Sequence, residues 1–209
     1  MILVEGSDDR YVLENIGKLY QVELPIHYAK GQHQLPKILA SRLKEEELAW
    51  LGLVVDTDEK NPKARFEEIR EWHPAFRSLK APDSSGTIIM VPREGGMQPV
   101  RFGLWLMPDN VRSGCLEDFL APFVPSSNHW DYAQKVCSEA KVQGAPFPER
   151  HLAKARMHTW LAWQKTPGLA LGRAVEKQYF SFPEFSELCA QSPGLAALLA
   201  WIDRLRLSL

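Results

Sequence analysis

Two carboxylates one residue apart, Asp56 and Asp58, close the apolar run Leu51-Gly52-Leu53-Val54-Val55. Such a run fits a buried parallel strand, and ligands of open α/β sheets bind beyond the carboxyl ends of the strands. Two acids at that place repel each other unless a cation or a shared proton holds them. A divalent metal is the simplest partner. Other acids fall at equivalent positions. Glu5 closes the strand that opens the chain, and Asp9 lies one helical turn later, so both can face one point. Asp109 closes the last strand, and Glu117 and Asp118 lie in the helix after it. An all-oxygen set suits magnesium, and two such ions could clamp the attacking and leaving oxygens of a phosphodiester.

A basic counterpart lies downstream. His151, Lys154 and His158 share one face of a helix expected over 149–164, and Lys165 continues it. From Lys141 to Lys177 there are seven Lys or Arg against two Glu. This fits a phosphate-contacting stripe, with Lys154 as a candidate stabiliser of the transition state. It also fits a solvated helix face. Trp160 and Trp163 lie off that face, where a place in the core is expected ahead of base stacking. The acids have structural readings too. Glu5 and Asp9 would favour a helix N-terminus, Asp56-Thr57-Asp58 fits a turn before Pro62, and Asp109-Asn110 fits turn chemistry after Pro108. Glu117 and Asp118 are adjacent, so one of them is left for the surface or a cap.

The elements that must position these residues alternate in the first half, which argues for α/β with a mostly parallel sheet flanked by helices. Strands are expected at 2–5, 26–29, 51–56, 87–91 and 100–107. Helices are expected from Ser7 or Asp8 to about Tyr20, over 35–47, from Pro62 past Ile69, and from near Ser113 to Phe123. A turn-rich loop over 92–99, with Gly95-Gly96 inside, joins the last two strands. Carboxyl ends of parallel strands lie along one edge, so Glu5, Asp56, Asp58 and Asp109 can converge from distant parts of the chain. After Pro122, Pro125, Ser126 and Ser127 the composition shifts. Helices are expected at 130–141, 149–164, 183–190 and 195–205, with no strand among them. The reading is an α/β domain over 1–125 with a helical C-terminal extension, 126–209, packed on it.

Bulk properties narrow the class. With 45% hydrophobic and 24% charged residues, the 209-residue chain reads as an ordinary globular protein. No apolar run is long enough for a bilayer, and the first residues lack the pattern of a signal peptide. Three scattered cysteines form neither a disulfide framework nor a zinc pattern, so a cytoplasmic location is expected. The net charge of −1 gives no global attraction to nucleic acid, so binding there needs a local basic surface.

Val4-Glu5-Gly6 and Asp56-Thr57-Asp58 resemble the glutamate and DxD motifs of the Toprim domain, the metal-binding catalytic module of topoisomerases, primases and certain nucleases. Glu5-xxx-Asp9 and Gly114-xx-Glu117 resemble, more narrowly, the overcoming-lysogenisation-defect (OLD) type of Toprim nuclease. Trp105-Leu106-Met107-Pro108-Asp109-Asn110, followed by Gly114-Cys115-Leu116-Glu117-Asp118, is similar to a family of stand-alone bacterial Toprim-like proteins. By motif the resemblance covers about residues 1–125. It implies a Toprim-like, Rossmann-like fold and a Mg2+- or Mn2+-dependent nuclease acting on nucleic acid, DNA ahead of RNA. Asp56, Asp58 and Glu5 would anchor one metal. Glu5 could be shared with a second, held also by Asp9 and Glu117, with Asp109 a further candidate ligand. Glu5 could instead be the general base. A downstream lysine assists the chemistry in that type, a role open here to Lys154. The ATPase domain that usually precedes this Toprim type is not seen, which suggests a separate protein partner. Two other classes stay open: a non-catalytic metal- or nucleotide-binding Toprim relative, and a receiver-like signalling domain. The latter is disfavoured because Met107, not Lys, precedes Pro108.

Overall fold

The computed structural model describes residues 1–95 and 97–207. Gly96 of the expected turn, and Ser208 and Leu209 at the end of the expected extension, lie outside the described residues. The first half runs β1 (Ile2–Val4), α1 (Ser7–Leu19), β2 (Ile26–Tyr28), α2 (Leu35–Arg42), β3 (Trp50–Asp56), α3 (Pro62–Arg70), β4 (Thr87–Val91) and β5 (Val100–Met107). Six helices follow: α4 (Leu116–Leu120), α5 (Asn128–Val142), α6 (Leu152–Ala162), α7 (Leu171–Glu176), α8 (Leu188–Gln191) and α9 (Pro193–Arg206). The protein is mixed α/β, with a mostly parallel sheet between helical layers.

The strands lie in the order β2-β1-β3-β5-β4. β1, β2, β3 and β5 are parallel, and β4 runs antiparallel to β5 along the far edge. The 92–99 loop therefore turns the chain back on itself. The central strands carry apolar residues on both faces, as strands covered on both sides must. Leu3, Leu51, Leu53, Val55, Phe102, Leu104 and Leu106 face the layer of α2 and α3. There Phe76 stacks on Phe102 with ring centroids 4.3 Å apart.

The opposite face, with Ile2, Val4, Val54, Trp105 and Met107, packs against α1 and the later helices. Gly52 of β3 and Gly103 of β5 stand side by side in the sheet. Together with Gly86 they leave the hollow that Trp201 of α9 fills. A Cβ on Gly103 would fall 2.8 Å from the Trp201 ring, and one on Gly86 2.6 Å from it. The indole Nε1 donates to the carbonyl of Thr87 at 3.3 Å. Close approach also joins α7 to α1, where a Cβ on Gly172 would come 2.3 Å from that of Tyr11. The C-terminal helices thus share one hydrophobic core with β1, β3 and β5 across residue 125.

Three local differences from the sequence reading have visible origins. The helix expected over 35–47 ends at Arg42, and residues 43–48 continue in single hydrogen-bonded turns. The helix expected over 149–164 begins as a 3₁₀ turn, Glu149–His151, and becomes α-helical at Leu152. α7 was not expected. It is six residues long, and its apolar character comes from Leu171, Ala174 and Val175 packed against α1 and its neighbours. No described helix is long and apolar enough to cross a membrane.

Candidate functional site

Parallel pairing brings the carboxyl ends of β1, β3 and β5 to one edge, and register sets the depth of each acid. Leu3 pairs with Leu53, which puts Glu5 level with Val55, one residue short of Asp56. Asp56 pairs with Met107, so the chain leaves β5 beside the end of β3. Asp58 follows with a left-handed backbone, φ 51°, which turns the loop across the edge. Asp9 comes from the first turn of α1, where its Oδ2 accepts the Gly6 N–H at 2.9 Å. That bond is a capping contact, so the helix-start reading of Asp9 holds for one of its oxygens.

A second fixture joins the β3 and β5 loops. The Thr57 hydroxyl, 1% exposed, accepts the Gly114 N–H at 2.7 Å. Its own proton lies 3.1 Å by oxygen separation from the carbonyls of both Met107 and Gly114. The N–H groups of Thr57 and Asp58 both donate to the Gly114 carbonyl, at 3.1 and 2.9 Å. Cys115 N–H then donates to Asp118 Oδ2 at 2.9 Å, which starts α4 and leaves the neighbouring Glu117 turned inward and buried. Gly114 sits at φ 151°, where a Cβ would fall 2.6 Å from the Asp118 carboxylate.

The charges of Asp9, Asp58 and Glu117 act on the buried carboxyls of Glu5, Asp9 and Asp56. Burial pushes the Glu5 carboxyl up to about 7, against the pull of Arg65 and with repulsion from Asp9 and Asp58. Burial takes Asp9 up to about 6, with the Gly6 N–H and Lys154 pulling down and Glu117 pushing up. Asp56 is held well above the carboxylate range, first by burial and then by Asp9 and Glu5. Its Oδ1, and Oε2 of Glu117, are buried with no hydrogen-bond partner among the described residues. An orphaned carboxylate oxygen is costly. Two of them beside three further acids call for a cation or a bound proton.

Two side-chain cations already stand there. Lys154 Nζ from α6 lies 3.7 Å from Glu117 Oε2, an ion pair longer than a hydrogen bond. Burial opposes the Lys154 charge, but Glu117, Asp56 and Asp58 more than compensate, and its pKa is raised. Arg65 of α3 is fully buried and donates to Glu5 Oε1 at 3.0 Å. Against five carboxylates these two cations leave an excess of negative charge when all are ionised, the more so because Arg65 is shared with Glu68. Among the described residues, no three Asp, Glu, His or Cys donors already stand in a ready metal-binding set. The charge deficit and the hard oxygen donors fit a divalent cation.

Asp109 is not brought into this cluster. Its carboxylate accepts the N–H groups of Val111 and Arg112 at 3.1 and 2.8 Å and pairs with Arg112 Nε at 2.6 Å. Although burial works the other way, these bonds hold its pKa below the usual carboxylate value. The turn reading accounts for it, and Asn110, φ 66°, completes that turn by accepting the Leu106 N–H. Of the basic stripe, Lys154 reaches the acids, while His158 faces solvent. Trp160 is core, packed edge-on to Trp130. Trp163, also expected in the core, is instead 41% exposed and stacks on Tyr132. Arg65 and Thr57 were not singled out as site residues from sequence. An arginine at an early helical position reads as surface, and only the pairing of Glu5 with an expected helix could have raised it.

A family model described as "Protein of unknown function (DUF3226)" matches residues 1–207. The chain belongs to that family. The match spans the sheet, the acid cluster and the C-terminal helices alike, so Lys154 lies within the same family unit as Glu5 and Asp56. No curated protein and no solved structure matches the chain.

Proposed function

We propose that this protein is a Toprim-type, Mg2+- or Mn2+-dependent phosphodiesterase acting on nucleic acid, with DNA the first substrate to test. The observation that carries the reading is the meeting of Glu5, Asp9, Asp56, Asp58 and Glu117, from four segments of chain, around two orphaned oxygens. Their order along the chain matches the OLD-type Toprim motifs. Asp56 and Asp58 would hold the cation, with Glu5, Asp9 and Glu117 as the remaining acid donors. When bound, the ion supplies charge for a phosphate and a nucleophile at neutral pH.

The chain's own groups then have definite tasks. Lys154, cationic and half-exposed at the rim, neutralises charge gathering on phosphate oxygens. Glu5, whose carboxyl burial raises to about 7 in the cation-free protein, would serve as a base only where it is not itself a donor to the ion. Thr57 holds the β3 and β5 loops together so that Asp56 and Glu117 keep their spacing.

A receiver-like module does not fit. That architecture orders its strands 2-1-3-4-5, whereas here an antiparallel β4 lies outside β5. One observation favours the non-catalytic relative as a second reading: Arg65 and Lys154 already compensate part of the acid charge, and no ready three-donor set exists among the described residues. A cleavage assay separates the two. Plasmid, linear DNA and RNA are incubated with Mg2+ or Mn2+ and wild type, Glu5→Ala or Asp56→Ala. Cleavage by wild type alone is expected. Cutting that survives both substitutions, or no cutting by any form, refutes the nuclease reading.

A further inference from the structure

We propose that Arg65 is a positioning residue of the acid cluster, the fixture that locks the Glu5 carboxylate to the end of β3. Its side chain is fully buried. Lys and Arg are almost never so unless paired, and a buried guanidinium left without partners would cost several kcal/mol. Arg65 has partners on every side. Nε donates to the carbonyl of Asp56 at 3.1 Å, Nη2 to Glu5 Oε1 at 3.0 Å and Nη1 to Glu68 Oε2 at 2.9 Å. The guanidinium carbon stands 5.5 Å from the centre of the Trp72 ring. One rigid fork therefore binds the main chain at the last residue of β3 and the acid at the end of β1.

Geometry separates this role from a merely stabilising ion pair. A surface pair would leave Glu5 free to turn. Here two bonds from one guanidinium set where Glu5 Oε1 lies relative to the main chain of Asp56. Glu5 is left with Oε2 for anything bound among the acids. Arg65 also brings a fixed positive charge that partly offsets the negative cluster without competing for the Asp56 side-chain oxygens. Lysine could keep the charge but not the fork. The proposal rests on the reading of the cluster as a cation site, and deepens it by naming what sets the position of one ligand.

The test has two arms. In the first, Mn2+ affinity is measured by calorimetry for wild type, Arg65→Lys, Glu5→Gln and the double variant, with folding checked by circular dichroism. Each single substitution is expected to weaken Mn2+ binding about tenfold, a loss of about 1.4 kcal/mol, and the double variant to bind no more weakly than the poorer single one, which makes the coupling between the two about as large as one such loss. Arg65→Lys binding Mn2+ as wild type does, or losses that multiply to about a hundredfold, would overturn the proposal. The second arm needs neither a cation nor an Arg65 variant. Nuclear magnetic resonance follows proton exchange at the Arg65 guanidinium in wild type and Glu5→Gln. Slow exchange that quickens severalfold in the variant supports the lock, and unchanged exchange overturns it. Failure of wild type to bind Mn2+ refutes the cation reading itself, and the second arm then decides whether Arg65 still fixes Glu5.

Discussion

Replacing Asp9 by Asn should stabilise the cation-free protein at pH 8, although it removes a candidate ligand. The carboxyl of Asp9 rises from 3.8 to about 6 on folding. A group whose folded pKa is raised is free of penalty below its unfolded value, here 3.8, and bears the whole of it above its folded value, about 6. The rise is about 2 pKa units, and each unit is worth about 1.4 kcal/mol, so the ionised acid costs the fold about 3 kcal/mol at pH 8. Asn keeps an oxygen for the Gly6 N–H, and the strength of that bond to the ionised acid is already contained in the rise. The gain is therefore about 3 kcal/mol. For a chain of this size that corresponds to a melting temperature higher by about 6 to 12 °C. The assay is thermal unfolding of both forms in chelator at pH 8 and at pH 4. Taking the difference between the forms cancels groups that do not feel Asp9, such as the buried α-amino group of Met1, which burial and Arg206 push down to about 5, while relief of Asp56 and Glu5 from the Asp9 charge adds to the gain. The gain should be present at pH 8 and nearly vanish at pH 4. A variant no more stable than wild type at pH 8, or equally stabilised at both pH values, would refute the electrostatic reasoning.

Three more outcomes follow from particular contacts. Thr57→Val keeps the shape of the side chain but leaves the Gly114 N–H without its acceptor. It should lower stability by about 1 to 3 kcal/mol in urea unfolding and weaken Mn2+ binding, with Thr57→Ser restoring both. Trp201→Ala empties the hollow over Gly52, Gly86 and Gly103. It should cost about 3 to 5 kcal/mol, and a loss below 1 kcal/mol would contradict the single shared core. Asp109→Asn, away from the cluster, should leave Mn2+ affinity within twofold of wild type. A tenfold loss would place Asp109 among the ligands after all.

The parts legible in sequence were those with a one-to-one link between residue type and environment. The run ending in Asp56 fits a buried strand by length and composition, and its carboxyl end follows from direction. The Ile2–Val4 strand and Pro62 as the first turn of α3, capped by Asn61 Oδ1 on the Ala64 N–H, are of the same kind. What escaped depended on contacts between distant segments. Arg65 looks like any helical arginine until β1 and β3 are placed beside α3. Trp160 and Trp163 have the same side chain three residues apart, and only the packing of α5 on α6 sends one inward and leaves the other in solvent. For Asp109, the turn and ligand readings start from the same residues, and Arg112 decides between them.

The central claim is that the acids at the edge of β1 and β3 form a cation site. Its most direct test is calorimetric titration of Mn2+ into the chelator-treated protein at pH 8, beside Asp56→Ala. The expected result is saturable binding to wild type that is lost in the variant. Wild type that binds no Mn2+, or a variant that binds it equally well, would contradict the account.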